Sequence, residues 1–483
     1  MSQRQEDGPV ELKREVGIWG SFSMGYADVG ADIYVVLGVI ALFAWFLSPI
    51  AFAIAAVVYV STGLCYAELS TRYPVAGGGH YFSLKAFGPF HGFVAGWGLM
   101  LSYTVDIALF SLATVGYLEQ VAAPVLRTVP LTTPPYYALV AISLIVLLAL
   151  LNLVGIKYSS KLNEFIVAVD LVTVALFLVF GVPSIVASGA LSNWIARLPA
   201  LISSGNFGGG TNYSSLIFAL SLATVSYIGI ESISQAAEET KNPRRVIPRA
   251  TKAAIASVVT VAVVLSLLSV TLVSPGVVAG NPSAPAVPLA ANLPVIGPYF
   301  AIWVAIMGTL VCYISTNTGV IGVSRVTFSM SRLGLLPKGF AKISSRFRTP
   351  YVTILLFASV ACLLLALGIE LPNFQILPLI ASVYNFGALI AYFYVNAAAI
   401  ALRFKDPVKE GWMMPLNVTV HRNGMPYRVS IIPFIGIAFT AAIWLILVTS
   451  NPGGRVAGAA WFAIGIAGYL IYQRRKRGRK ADA

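Results

Sequence analysis

Gly25-Tyr26-Ala27-Asp28-Val29-Gly30-Ala31-Asp32-Ile33-Tyr34 and Ser226-Tyr227-Ile228-Gly229-Ile230-Glu231-Ser232-Ile233-Ser234 decide the fold of this 483-residue sequence. Each puts glycine and carboxylate into the middle of an apolar run long enough to cross a bilayer. Backbone can unwind at that depth only beside a cavity, because hydrocarbon leaves its N–H and C=O groups without partners. The two stretches fall on the first and sixth of the apolar runs, the corresponding members of two five-helix halves. Paired interruptions at corresponding places point to an inverted-repeat transporter with its site at the membrane midplane.

The rest of the chain agrees. Hydrophobic residues make up 58% and charged residues 10%, where soluble chains average roughly 45–50% and about 25%. So few charges cannot cover a soluble surface, which excludes a soluble enzyme, a nucleic-acid binder and a disordered scaffold. Twelve apolar runs, from 16–44 to 456–472, are separated by turn chemistry such as Thr133-Pro134-Pro135 and Asn451-Pro452-Gly453-Gly454. With an amino terminus in the cytoplasm and strict alternation, 29 of the 32 Lys and Arg fall inside, leaving Arg127, Arg197 and Arg455 outside. The expected division is a cytoplasmic tail 1–15, a first repeat 16–190, a second repeat 211–403, a cytoplasmic loop 404–428, two further helices over 429–473, and a basic tail 474–483. Met1 to Glu15 is polar and the first apolar run is too long for a cleavable signal, so none is expected. The run Arg474 to Lys480 is a stop-transfer flank or a patch for anionic lipid.

Intramembrane carboxylates cost about 2.5–3.5 kcal/mol each at mid-helix and default to functional hypotheses. Asp28 and Asp32 lie on the first span, Asp106 on the third, Asp170 on the fifth and Glu231 on the sixth, with no Lys or Arg at comparable depth. Unpaired acids need protons, bound cations or a water-filled cavity, and a cation pathway meets that need. Glu231 could equally bond to the backbone of a helix break, and Asp170 could be a protonated packing acid. An intramembrane aspartyl protease would want Gly-x-Gly-Asp, which Gly30-Ala31-Asp32 does not supply. No His-Glu-x-x-His or Gly-x-Ser-x-Gly occurs, the three histidines read as loop residues, and Cys65, Cys312 and Cys362 lack metal-ligand spacing. No enzyme, cofactor or metal site is expected.

Tyr66-Ala-Glu68-Leu-Ser-Thr-Arg-Tyr-Pro74-Val-Ala-Gly77-Gly-Gly-His-Tyr81 resembles the second-to-third-helix signature of the amino acid–polyamine–organocation transporters. So does Glu238-Glu239-Thr-Lys241-Asn242-Pro243-Arg-Arg-Val-Ile-Pro248, and Ser324-Arg325 to Leu336-Pro337 and Met425 to Val429 are similar to later family segments. The resemblance implies a LeuT-like fold, all-α and polytopic, with twelve transmembrane helices: a 5+5 inverted repeat plus two carboxyl-terminal helices, with helices 1 and 6 broken. In the family, amides of the first break hold the substrate carboxylate, and Gly30-Ala31-Asp32-Ile33-Tyr34 matches that break with aspartate in place of glycine. Two unit charges about 5 Å apart at an effective dielectric near 20 repel by roughly 3 kcal/mol. Asp32 is therefore protonated, turned away, or facing a substrate that is not a simple zwitterion. The resemblance places Asp170 where proton-coupled members carry lysine and sodium-coupled ones a sodium site, which implies a bound monovalent cation or a titrating proton there, with Ser315 and Thr316 as oxygen partners or in ordinary interhelical bonds.

The expectation is a secondary transporter of the plasma membrane, both termini cytoplasmic, for amino acids or related amines with cationic ones favoured, coupled to a proton or sodium ion. The expected substrate site comprises Gly25, Tyr26, Asp28, Gly30, Ala31, Asp32, Tyr34, Tyr103, Asp106, Ser226, Tyr227, Gly229 and Glu231; the coupling site is Asp170, Ser315 and Thr316. Its partners are a small-molecule substrate and lipid, without nucleic acid. A potassium importer of the same superfamily is the alternative, resting on Asp28, Tyr34 and the segment Ser102-Tyr103-Thr104-Val105-Asp106. A non-transporting sensor on this scaffold is a third, although neither tail is long enough for a soluble domain. Glu68, Glu119 and Glu164 read as surface or packing residues.

Overall fold

The computed structural model describes residues 14, 16–75, 77–126, 130–154, 159–344, 347, 349–406 and 411–481. Arg127, Lys157, most of the tail 1–15 and part of the loop 404–428 lie outside the described residues, as do the side chains of Arg479 and Lys480.

The chain is an all-α polytopic membrane protein. In order, its helices are α1 (Ile18–Gly30), α2 (Asp32–Ala44), α3 (Ser48–Arg72), α4 (Gly79–Phe87), α5 (Pro89–Leu126), α6 (Tyr136–Val154), α7 (Ser159–Leu176), α8 (Val182–Ala187), α9 (Ala190–Ser204) and α10 (Tyr213–Ala223). There follow α11 (Glu231–Gln235), α12 (Pro243–Thr271), α13 (Pro275–Ala279), α14 (Ala286–Ala291), α15 (Gly297–Arg332), α16 (Tyr351–Leu367), α17 (Asn373–Lys405), α18 (Ile432–Ser450) and α19 (Pro452–Ala481). Among the described residues, ten helical stretches are long and apolar enough to cross a bilayer, and Tyr351–Leu367 is a shorter apolar helix. The first stretch, Ile18–Arg72, is 55 residues long and turns at Trp45, whose φ is +46°.

The centre of the bundle is α5, packed along α15 and α17, with α3 and α1 lying against α12. Without a hydrophobic drive between helices in lipid, close approach comes from small residues. Gly98 and Gly387 meet backbone to backbone: a Cβ on Gly98 would sit 2.6 Å from the Gly387 carbonyl oxygen, and the reverse is equally crowded.

The break expected in helix 6 is present, and the one expected in helix 1 is slight. In helix 6, α10 runs into a 3-10 turn (Thr224–Tyr227), Ile228 is extended with ψ +138°, and Gly229 takes φ +123° before α11 starts. In helix 1 the interruption is narrower than the glycines suggest. Gly25 to Gly30 are helical, and Ala31, between α1 and α2, itself keeps right-handed helical angles (φ −70°, ψ −29°), so helix 1 is interrupted at a single residue and not unwound. Gly25 serves packing, since a Cβ there would lie 2.6 Å from the Ile233 side chain of α11. Ahead of α1, Val16 pairs with the strand-like segment after helix 6: its N–H donates to the Glu239 carbonyl at 2.9 Å, and its carbonyl accepts from Lys241 N–H at 2.9 Å.

Two antiparallel hairpins lie outside the bundle, β1 (Asn206–Gly208) with β2 (Thr211–Asn212) and β3 (Asn417–Arg422) with β4 (Met425–Ser430). The second occupies much of the segment expected to be the cytoplasmic loop 404–428. Its turn is Asn423-Gly424, both at positive φ (+52° and +79°), the pair that a two-residue hairpin of type I′ demands.

The histidines are not loop residues: His80 lies in α4, His91 in α5 and His421 in β3. His80 is fully buried, with Nε2 3.0 Å from Ser329 Oγ, and burial depresses its pKa from 6.5 to about 4. The neutral imidazole is therefore the folded form. Its stabilisation is complete above pH 6.5 and is lost as pH falls towards 4, by about 2 kcal/mol between pH 7 and pH 5. Unfolding temperatures of the purified protein should fall over that interval, and His80→Gln should flatten the decline. An identical pH slope in the variant would assign the acid sensitivity elsewhere.

Candidate functional site: a buried carboxylate cluster at helices 1 and 6

The unwound turn of helix 6 leaves backbone donors to satisfy, and Glu231 folds back onto them. Gly229 N–H donates to Glu231 Oε2 at 3.1 Å and to the Tyr392 hydroxyl at 3.1 Å, while that hydroxyl donates to Glu231 Oε2 at 2.7 Å. Glu231 thus does bond to the break, but only through one oxygen; Oε1 is buried without a hydrogen-bond partner. Asp28, across from it on α1, accepts from Ser232 Oγ at 2.7 Å through Oδ2 and leaves Oδ1 unpartnered. Only glycine fits at 229: besides its positive φ, a Cβ would lie 2.7 Å from Asp28 Cγ.

Asp32 opens α2 immediately after Ala31, and Asp106 projects from α5 against Gly319 of α15. Both are 0% exposed; the Asp32 oxygens have no hydrogen-bond partner, and the donor beside Asp106 is the Tyr384 hydroxyl. Asp28, Asp32, Asp106 and Glu231 stand near enough to feel one another's charge, with Tyr384 of α17 flanking Asp106. Tyr59 adds a ring 5.4 Å from Tyr227 and an unpartnered hydroxyl, and Ser226 Oγ is likewise buried and unpartnered. The Tyr227 hydroxyl is spent on the Phe52 carbonyl at 2.9 Å, so Tyr227 offers its ring.

Tyr26 and Tyr34, expected beside the substrate, use their hydroxyls elsewhere. Tyr34 donates to Asp170 Oδ1 at 2.6 Å and Tyr26 to Oδ2 at 3.0 Å, so one carboxylate on α7 ties α1 to α2 across Ala31. Gly30 lies against the Tyr26 ring, and Tyr117 holds Tyr34 in turn by donating to its carbonyl at 2.7 Å. Ser315 and Thr316 do not bond to Asp170: Thr316 Oγ1 donates to the Cys312 carbonyl at 3.0 Å, and Ser315 Oγ is buried without a partner.

A cavity beside the cluster is lined by Ser23, Asn163, Glu164, Ser232, Gln235 and Arg325, among others. Its floor is thin. Ser232 is the residue bonded to Asp28, and Gln235 Nε2 donates to the Tyr103 hydroxyl at 2.6 Å. Glu239 and Arg325 form an ion pair of 3.4 Å near this opening.

Glu68 is a residue the sequence undervalued. It is 0% exposed on α3 and takes a bidentate pair from Arg403 of α17, Nε to Oε1 at 2.8 Å and Nη2 to Oε2 at 2.5 Å, with Met414 N–H adding a 2.9 Å bond. Arg403 Nη1 continues to the Arg428 carbonyl at 2.9 Å and to Asn417 Oδ1, fastening the β3–β4 hairpin to the bundle. Among the described residues Arg403 is the buried Lys or Arg, and Glu68 neutralises it. Among those residues the four-carboxylate cluster has no such basic counterpart.

A long helical bundle with a buried polar site at the break of helix 6 has the build of a membrane permease. The family model for amino acid permeases matches residues 16–471, nearly the whole chain, and the protein belongs to that family. It is similar to the branched-chain amino acid permease BcaP of Bacillus subtilis, at 28% identity over 97% of this chain and 95% of the relative. It is also similar to the methylthioribose transporter of Bacillus subtilis, at 27% over 92% and 90%. The low-affinity putrescine importer PlaP of Escherichia coli is 27% identical over 86% of this chain and 84% of its own length.

Proposed function

We propose that the protein is a secondary active transporter of cationic amino acids or related amines in the plasma membrane, working by alternating access around the broken helices. In this reading the chain crosses the bilayer twelve times, with both termini cytoplasmic. Asp28, Asp32, Asp106 and Glu231 bind the cationic group, and Asp170 couples transport to a proton or sodium ion. The observation that carries the reading is the cluster itself: four buried acids and, among the described residues, no buried Lys or Arg left to neutralise them. Burying one unpaired charge costs several kcal/mol, so the cluster calls for positive charge from outside the chain. The relatives span neutral and cationic substrates by name, and the carboxylates favour the cationic kind.

The test is uptake into proteoliposomes of labelled arginine, putrescine, leucine and rubidium under imposed proton, sodium and potential gradients. Saturable arginine or putrescine uptake, driven by an inside-negative potential, is the expected result. Leucine uptake without either cation would overturn the proposal, and rubidium uptake alone would establish the potassium-importing alternative.

A further inference from the structure

We infer that α9 is an interfacial helix, lying in the headgroup region of the bilayer leaflet at the far end of helix 5. Its exposed apolar side enters the acyl chains and Arg197 meets the lipid phosphates. The inference goes beyond transport, and the twelve-span orientation enters only in naming that leaflet the outer one.

The sequence of α9 (Ala190–Ser204) is amphipathic. At about 100° per residue, Leu191, Trp194, Ile195, Leu198, Leu201 and Ile202 fall within roughly a third of the helix circumference. Ser192, Asn193, Arg197, Ser203 and Ser204 share the remainder. The bundle covers only one edge of the apolar arc. Trp194, Leu198 and Leu201 are half-buried, but Ile195 is 53% and Ile202 47% exposed, and no residue of α9 is fully buried.

The place of α9 in the chain says what covers the other edge. The stretch Asn163–Ala187 is long and apolar enough to cross the membrane. Its valines 172, 179 and 186, seven residues apart, are each more than half exposed and mark its lipid side. Ser188 and Gly189 follow, Gly189 turns the chain at φ +72°, and α9 begins. A helix that starts three residues after a span ends has its first turn at the bilayer surface, where hydrocarbon lies within one helical turn of the two isoleucines. The charge fits as well. Between Asp170 and Glu231 the chain carries one charged residue, Arg197, which is exposed, so no acid is present for lipid phosphates to repel. An apolar stripe, a basic residue on the polar side and an indole between them are the makings of a helix that lies on a membrane.

The position also bears on helix 1. Trp194 Nε1 donates to the Phe46 carbonyl at 2.9 Å, in the 3-10 turn Trp45–Leu47 that separates α2 from α3. Just beyond α9, Gly208 and Gly209 lie against the Trp45 indole, where a Cβ on either would come within 2.5 Å of the ring. α9 thereby moors the outer end of helix 1 to the bilayer surface.

The test is electron paramagnetic resonance of the full-length protein in phosphatidylcholine–phosphatidylglycerol liposomes. Spin labels are placed in turn on Ile195→Cys, Ile202→Cys, Asn193→Cys and Ala200→Cys, in a Cys362→Ala background that leaves only the buried Cys65 and Cys312. Collision with oxygen relative to a water-soluble nickel chelate should be about tenfold higher at the two isoleucine positions than at 193 and 200, placing them roughly 5–10 Å below the phosphates. Size-exclusion of each labelled variant checks that it is folded. Equal nickel access at all four positions would put α9 in water. Labels at 195 and 202 shielded from both reagents would show protein, such as a second copy of the chain, covering that face. Either result overturns the inference, and neither touches arginine or putrescine uptake, which tests the transport reading separately.

Discussion

Glu68→Gln should unfold far more readily than the parent protein, by about 3–5 kcal/mol, the cost of leaving a buried partner charge uncompensated. Arg403 is the charge left behind. It reaches Glu68 through two nitrogens and the β3–β4 hairpin through a third, so the substitution weakens the junction of α3, α17 and the hairpin together. Arg403→Met should cost a similar amount by stranding Glu68. The double variant Glu68→Gln, Arg403→Met should be less damaged than the sum of the two, because replacing a whole buried pair is often close to neutral. Thermal unfolding followed by size-exclusion of the detergent-solubilised protein measures all four corners of this cycle. Single variants as stable as the parent, or a strictly additive double, would show that the pair contributes little.

Asp170→Asn should abolish ion-driven accumulation, by at least tenfold, while changing substrate affinity by no more than about threefold. The carboxylate touches no residue of the four-acid cluster through a hydrogen bond; it receives the hydroxyls of Tyr26 and Tyr34, which stand on opposite sides of Ala31. An amide keeps the size, loses the charge, and presents a donor where one tyrosine already donates. The effect should therefore appear in coupling between the gradient and the motion of α1, and not in binding. Uptake with and without an imposed gradient, set against thermal-shift affinity, separates the two quantities. Tyr34→Phe, which removes the 2.6 Å bond, should fall between the parent and Asp170→Asn. Gradient-driven accumulation equal to that of the parent in Asp170→Asn would take this aspartate out of the coupling site.

The architecture was legible because the membrane makes hydropathy decisive: a chain with 10% charged residues has few ways to fold. The break in helix 6 was legible for a local reason, since Gly229 and Glu231 supply both the conformation and the acceptor within three residues. The break in helix 1 was harder. Glycine in a membrane helix serves either unwinding or close packing, and only the partner tells which; for Gly25 that partner is Ile233, more than two hundred residues away. The same distance hid the tyrosine pair on Asp170, separated from it by 144 and 136 residues, and the Glu68–Arg403 contact, separated by 335. Tyr384 and Tyr392 had no signature, because an aromatic residue in an apolar run looks identical whether it faces lipid or substrate. The hairpin of β3 and β4 did have one, in Asn423-Gly424, which the loop assignment passed over.

The short pairing of Val16 with the segment around Thr240 has a mechanical consequence. Two main-chain bonds harness the root of α1 to the segment that follows α11, and the Gly25–Ile233 contact locks the two half-helices together further along. Under the proposed alternating access, α1 and the segment that follows the helix 6 break would be expected to move as one unit, opening or closing the cavity over Ser232 and Gln235 together.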